Sequence, residues 1–194
     1  MENLTNRQQE ILDKSILLIS EKGIQGFTVK NLSKAVGISE PALYRHFHSK
    51  TNILETILDG FEQMAEFFSS LVDNDNLSSI EKINFMFDKM VEIFIDNPSI
   101  ISIIFSEDIF KNDKHLKKII VKVMNKNENT VEKIILTGQE NDEIRKDVDN
   151  KSLAMIVMGA IRLLVKRWDL NNRNFDLRKE GTDLISSLKK MLIN

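Results

Sequence analysis

The chain contains no cysteine, which removes disulfides, thiolate nucleophiles and cysteine-based zinc or iron–sulfur sites. It also agrees with a reducing compartment. Prolines number two, Pro41 and Pro98, and glycines seven, too few for a loop-rich or low-complexity chain. Long hydrophobic runs are missing as well. The longest, Leu153 to Ile161, falls well short of the ~20 residues a membrane-spanning helix needs. The stretch from Met1 to Arg7 is polar and has no signal-peptide core. These absences predict a soluble, cytoplasmic protein that does not engage a membrane. A net charge of −2 carries no sign of a nucleic-acid partner, so any such partner requires a local basic surface.

What the sequence does contain is helical periodicity. Hydrophobic residues make up 42% of 194 residues, enough for a sizeable core, and they recur at three- and four-residue spacing nearly throughout, with no alternating strand pattern. The expected fold class is all-α. Thr5 and Gln8 form a capping box that opens a first helix, with Ile11, Leu12, Ser15, Leu18 and Ile19 on its inward stripe and Gly23 just past its end. Thr28 caps a short helix carrying Val29, Leu32, Ser33 and Val36, which Gly37 terminates. Ser39 caps a third helix with Pro41 in its first turn, where a missing N–H costs little. A fourth helix is expected from Ser49 or Lys50 to about Val72. Ser78 and Glu81 form a second capping box for a helix reaching about Asp96. A short helix should follow Asn97-Pro98, then long ones at about 113–138, 150–170 and 176–193.

Residues 28–50 carry the strongest functional signal. Two short helices, together about 28–47, flank the glycine-containing turn Val36-Gly37-Ile38-Ser39, the layout of a helix-turn-helix. At about 100° per residue, Leu43 and Phe47 point together into a core while Pro41, Arg45 and His48 point away. The outward face is small at its start and basic beyond it, as entry into a major groove requires. Lys30, Lys34, Arg45 and Lys50 stand against one acid, Glu40, giving +3 over this segment of a net-negative chain. Helix starts with free N–H groups suit phosphate oxygens.

The pattern Phe27-Thr28-Val29-x-x-Leu32-Ser33-x-x-Val36-Gly37-Ile38-Ser39-x-x-x-Leu43-Tyr44-x-His46-Phe47-x-Ser49-Lys50-x-x-x-Leu54 resembles the DNA-binding domain of the tetracycline-repressor (TetR) family, and the resemblance covers roughly the first 55 residues. Ser33 departs from the alanine more usual there, and Glu40-Pro41-Ala42 lies where the family varies with operator sequence. The resemblance implies that Thr28 and Lys30 touch phosphates at the start of the second helix. It places Ser39, Pro41, Ala42, Tyr44 and Arg45 in or along the groove, and His46 and Lys50 on the flanking backbone. Arg45 is the candidate base reader, with phosphate contact as its other reading. Tyr44 reads better as a packed residue with its hydroxyl on a phosphate than as a base reader.

On this basis residues 1–50 are expected to form a three-helix DNA-binding domain, and residues 51–194 a larger helical domain for effector binding and dimerisation. Phenylalanines concentrate between Phe61 and Phe110. The family's cavity for a small effector implies a lipophilic pocket at Phe61, Met64, Phe68, Phe87, Met90, Phe94, Phe105 and Phe110; ordinary core is the other reading of the same residues. The helix after Lys151 is apolar on nearly every side, and such a helix is buried on two sides. It meets either a second subunit or, in a monomer, only its own core. The resemblance implies a homodimer held by Met155, Gly159, Ala160 and Leu163 with Leu184, Leu188 and Met191.

The three histidines, His46, His48 and His115, lack companion carboxylates at metal spacing, so neither a metal nor another cofactor is expected. Gly138 to Glu143 is a polar turn without the glycines of a phosphate loop. No nucleophile is paired with a base, so no catalytic residue and no enzymatic activity is expected. The function that follows is a transcriptional regulator, a repressor released from double-stranded operator DNA by a small molecule. The alternative is a DNA-binding protein of the same fold without an effector, acting in nucleoid or division control.

Overall fold

The fold was determined as a computed structural model and is described for residues 4–73, 76–106 and 113–193. Helices account for all the regular structure of the described residues, in agreement with the all-α expectation. In chain order they are α1 (Asn6–Gly26), α2 (Val29–Val36), α3 (Glu40–Tyr44), α4 (Lys50–Ser69), α5 (Ser79–Asp96), a 3₁₀ turn (Pro98–Ile100) running into α6 (Ile101–Ile104), α7 (Lys114–Glu140), α8 (Asn150–Leu170) and α9 (Leu177–Leu192).

Contacts between backbone segments divide the chain into two compact units, Met1–Glu62 with Ser99–Val121, and Gln63–Pro98 with Lys122–Asn194. In the first unit, α1 starts at the Thr5–Gln8 capping box, both arms of which are formed. Its inward stripe, Ile11, Leu12, Ser15, Leu18 and Ile19, is buried as the spacing predicts. The Ser15 hydroxyl donates to the Ile11 carbonyl at 2.7 Å, which satisfies the one polar group on that stripe. The helix does not stop at Gly23. The backbone breaks there, at φ 65° and ψ −179°, and one further turn carries it to Gly26. That conformation is essentially closed to residues with a Cβ. Phe27, Leu32, Leu43, Phe47, Ile53, Leu54, Leu58, Ile101 and Leu116 complete this core. The Ser102 hydroxyl donates to that of Ser20 at 3.4 Å, linking α6 to α1.

In the second unit, α5, α8 and α9 pack together with the later part of α7 around Phe87, Val91, Phe94, Val131, Ile135, Val157, Ile161, Val165 and Ile185. The Ser78–Glu81 box caps α5, and Glu143 accepts the Ser79 N–H at 2.6 Å, so the turn after α7 helps to satisfy the orphan donors of that helix. Gly181 lets α9 close on α5: a Cβ there would lie 3.1 Å from Val91 Cγ2. The far end of α9 is held by Arg145, whose N–H donates to Leu192 O at 2.8 Å while its guanidinium pairs with Asp147. Among the described residues, no helix is long and apolar enough to cross a membrane.

Candidate nucleic-acid interface

Local sequence builds a small platform in the first unit. Thr28 is extended, and its hydroxyl accepts the Asn31 N–H at 3.2 Å, starting α2. Asn31 in turn donates to Gly26 O at 2.9 Å, fixing the chain that enters the helix. At the other end, Gly37 adopts φ 75° and ψ 34°, a left-handed cap. The N–H groups of Gly37 and Ile38 both reach Ser33 O, at 2.9 and 3.0 Å. This turn redirects the chain into Ser39, whose hydroxyl accepts the Ala42 N–H at 3.3 Å, with Pro41 in the first turn of α3. Regular α-helix ends at Tyr44, earlier than the 28–47 span suggests. Beyond it the His46 and Phe47 N–H groups both return to Leu43 O, at 3.0 and 3.1 Å, as a tightened final turn.

Leu43 and Phe47 are buried beneath this turn. Thr28, Lys30, Ser39, Pro41, Tyr44 and Arg45 are exposed; Ala42, His46 and Lys50 are half-buried. The residues nominated from sequence therefore all retain solvent-facing surface on the helix-turn-helix unit. Tyr44 differs from its packed expectation: it is 47% exposed, because Leu43 and Phe47 already occupy the inward side. Lys50 has an unanticipated neighbour, its ammonium lying 5.5 Å from the Phe27 ring centre. That cation–π contact holds the start of α4 beside the start of α2. Gln8 of α1 donates to His46 O at 3.3 Å and buttresses the same turn. Glutamine at a capping-box position gave no sequence signal for this second role.

The residues named for an effector pocket are divided. Phe87 and Met90 line a void of about 10 Å³ with Ile83, Met86, Val131, Val157, Met158 and Ile161, all in the second unit. Phe68 and Phe94 are buried and Met64 half-buried in that unit, whereas Phe61 and Phe105 belong to the first. Phe110 lies outside the described residues. The lining had a readable signal in part: Ile83, Met86, Phe87 and Met90 follow i, i+3, i+4, i+7 along one helix face. The void holds about one water at most, so in this conformation the face is closely packed.

The residues named for a dimer interface also separate. Met155, Leu163 and Met191 are 61%, 69% and 54% exposed. Gly159 is exposed too, and a Cβ built on it would meet nothing within 4 Å. Ala160 and Leu184 are half-buried. Leu188 departs from the pattern, being only 4% exposed. It lies one turn from Leu184 but on the side of α9 shared with Ile185 and Leu192, which faces the protomer's own core. Among the described residues no group of three His, Asp or Glu could hold a metal.

Comparison with known proteins assigns these features. Residues 11–57 match the model of bacterial regulatory proteins of the tetR family, and residues 75–194 match the C-terminal region of MAATS-type transcriptional repressors. Nucleoid occlusion factor SlmA of Actinobacillus pleuropneumoniae (serotype 5b, strain L20) is 34% identical over 124 residues, covering 62% of this chain and 60% of that protein. The chain thus spans about three-fifths of the SlmA length it matches. The fatty acid metabolism regulator protein of Bacillus subtilis (strain 168) is 20% identical over 173 residues, 88% of each chain. Two solved structures share the fold. MbdR from Azoarcus sp. CIB has a TM-score of 0.85 at 19% identity, covering 97% of this chain and 100% of that one. FadR from Bacillus subtilis, in complex with stearoyl-CoA, has a TM-score of 0.79 at 19% identity, covering 95% and 98%. The family models matched over both parts of the sequence are those of bacterial regulators and transcriptional repressors, and the chain belongs to the TetR family of DNA-binding bacterial regulators.

Proposed function

We propose that this regulator works as a homodimer that binds a near-palindromic operator and leaves it when a small lipophilic molecule binds. Residues 1–50 read the DNA, and residues 51–194 carry the dimer contact and the effector. Thr28, Lys30, His46 and Lys50 take phosphates. Ser39, Pro41, Ala42, Tyr44 and Arg45 enter or line the major groove, with Arg45 bidentate to guanine for about 1–3 kcal/mol of discrimination. The single observation that carries the DNA reading is the solvent-facing basic side of α3 and its flanks, fixed from beneath by Leu43 and Phe47.

The open apolar face of α8 and α9, through Met155, Gly159, Leu163 and Met191, supports pairing of two copies. Exposed apolar faces of this kind mark contact surfaces. Two copies would set their recognition helices about 34–36 Å apart, facing successive major grooves. Release then requires that the effector bind one spacing better than the other.

The void by Phe87 and Met90 supports a lipophilic effector, because every residue lining it is apolar. Three are methionines, Met86, Met90 and Met158, whose unbranched side chains adapt to an entering group. The stearoyl-CoA bound in the Bacillus subtilis FadR structure points the same way. A second reading has its own support. The identity to nucleoid occlusion factors favours a protein that stays on DNA without a small-molecule effector.

Genome-wide footprinting of the purified full chain, followed by titration of the recovered duplexes with stearoyl-CoA and other lipophilic ligands, tests both. The effector reading expects discrete sites and ligand-driven release. Occupancy that no ligand alters would favour the second reading, and absence of any footprint would end both.

A further inference from the structure

We propose that a lysine face on the first turns of α7 is an accessory contact for duplex DNA, gripping backbone phosphates outside the segment read by the helix-turn-helix. The inference rests on the DNA-binding reading and extends it to residues that no helix-turn-helix pattern includes. From residue 114 to residue 127 the sequence holds five lysines and no carboxylate. Lys114, Lys117 and Lys118 are exposed, and among the described residues none of the three forms an ion pair. At about 100° per residue they share one face of the helix, opposite the buried Leu116, Ile120 and Val123.

Two placements tie this face to the DNA-binding unit. Residues up to Val121 belong to the compact unit that contains the helix-turn-helix. The first turn of α7 is also pinned there: His115 Nε2 lies 3.1 Å from Glu55 Oε1 on α4. Glu55 is only about 7.5 Å along the α4 axis from Lys50, itself a proposed phosphate contact. The lysine face therefore belongs to the same unit as Lys30, Arg45 and Lys50.

Local energetics argue that the cations serve something outside the chain. The amino-terminal end of a helix carries partial positive charge, so lysines there are unfavourable to the helix itself. The Asp113 carboxylate, the anion nearest the helix start, already accepts the N–H groups of His115 and Leu116, and Glu55 faces His115. Three unpaired ammonium groups thus remain, and a phosphate backbone supplies the opposite charge. Each phosphate neutralised releases a condensed counterion.

The test uses the full-length protein and a 40-base-pair duplex that the wild type selects from a random pool. The comparison variant is Lys114→Gln/Lys117→Gln/Lys118→Gln, with the triple Lys133→Gln/Lys179→Gln/Lys190→Gln, exposed elsewhere on the chain, as a charge-matched control. Glutamine preserves helix propensity, and circular dichroism checks the fold. Affinity is followed across a salt series on the intact duplex and on one with trimmed flanks. The expected result is a salt slope shallower by about 2–3 for the α7 triple variant, with little change for the charge-matched control. Trimming should weaken the wild type and leave the α7 triple variant unaffected. An α7 triple variant with the wild-type slope and wild-type flank dependence would overturn the lysine face while leaving the helix-turn-helix reading intact. A wild type that selects no duplex would overturn both.

Discussion

The Ser33 carbonyl accepts the Gly37 N–H at 2.9 Å, closing the turn of the helix-turn-helix, while the Ser33 hydroxyl itself is buried with no hydrogen-bond partner among the described residues. An unpaired buried hydroxyl costs roughly 1–3 kcal/mol. Ser33→Ala keeps the backbone bond and removes that cost, so urea unfolding should show a gain of about 1 kcal/mol with DNA affinity unchanged. A loss of stability would mean that the hydroxyl has a partner in solution.

Gly37→Ala should act in the opposite direction. Nothing crowds a Cβ at Gly37, but its φ of 75° lies in the left-handed region, which disfavours an L side chain by about 1–2 kcal/mol. The thermal midpoint should fall, and DNA affinity should fall with it, because this turn sets the direction of α3. An unchanged midpoint would show that the turn relaxes without cost.

Stability should depend on acid through the helix caps. The Ser78 backbone and side chain hold the Glu81 carboxyl below its ordinary value. Hydrogen bonds from Ser152 do the same for Asp149 at the start of α8, and the Arg145 guanidinium does so for Asp147. Carboxyls depressed on folding contribute stability above their unfolded pKa and lose it as pH falls through the folded one. Asp88 runs the other way: burial first, and Glu92 second, raise it, so its contribution is present at low pH and fades as pH rises. Chemical denaturation should therefore show stability dropping below about pH 4. Asp149→Asn should flatten part of that drop, and Asp88→Asn should favour folding at neutral pH. A pH profile identical in the wild type and Asp149→Asn would remove the cap from the account.

The dimer contact can be tested at Gly159, where added bulk meets nothing inside the protomer. Gly159→Leu should leave the fold intact and weaken association, which sedimentation would read as monomer at concentrations where the wild type is dimeric. Leu188→Ala, at a position buried in the protomer core, should cost about 2–5 kcal/mol of stability through packing. If Gly159→Leu remains dimeric, the two copies meet elsewhere.

Sequence made much of this architecture legible because the relevant signals are local. Thr5 with Gln8 and Ser78 with Glu81 each mark a helix start by hydrogen bonds spanning three residues, and each cap forms as its spacing predicts. The inward stripe of α1 and the Gly37 turn are legible for the same reason. Features set by tertiary packing were hidden. Leu184 and Leu188 share a helix stripe, yet only the surrounding bundle decides that Leu188 is core. The early end of regular helix at Tyr44, where the His46 N–H closes on Leu43 O, has no residue-type marker either. Phe61 and Phe105 fall in a different compact unit from Phe87 and Met90, a division that residue type cannot announce.

The central claim is that the solvent-facing side of α3 reads bases. Its most direct test is the affinity of wild type and Arg45→Ala for the selected duplex and for random duplex over a salt series. The account predicts strong, salt-dependent binding by the wild type. Arg45→Ala should lose about 1–3 kcal/mol on the selected sequence and far less on random DNA. Equal losses on the two duplexes, or wild-type affinity indifferent to salt, would contradict it.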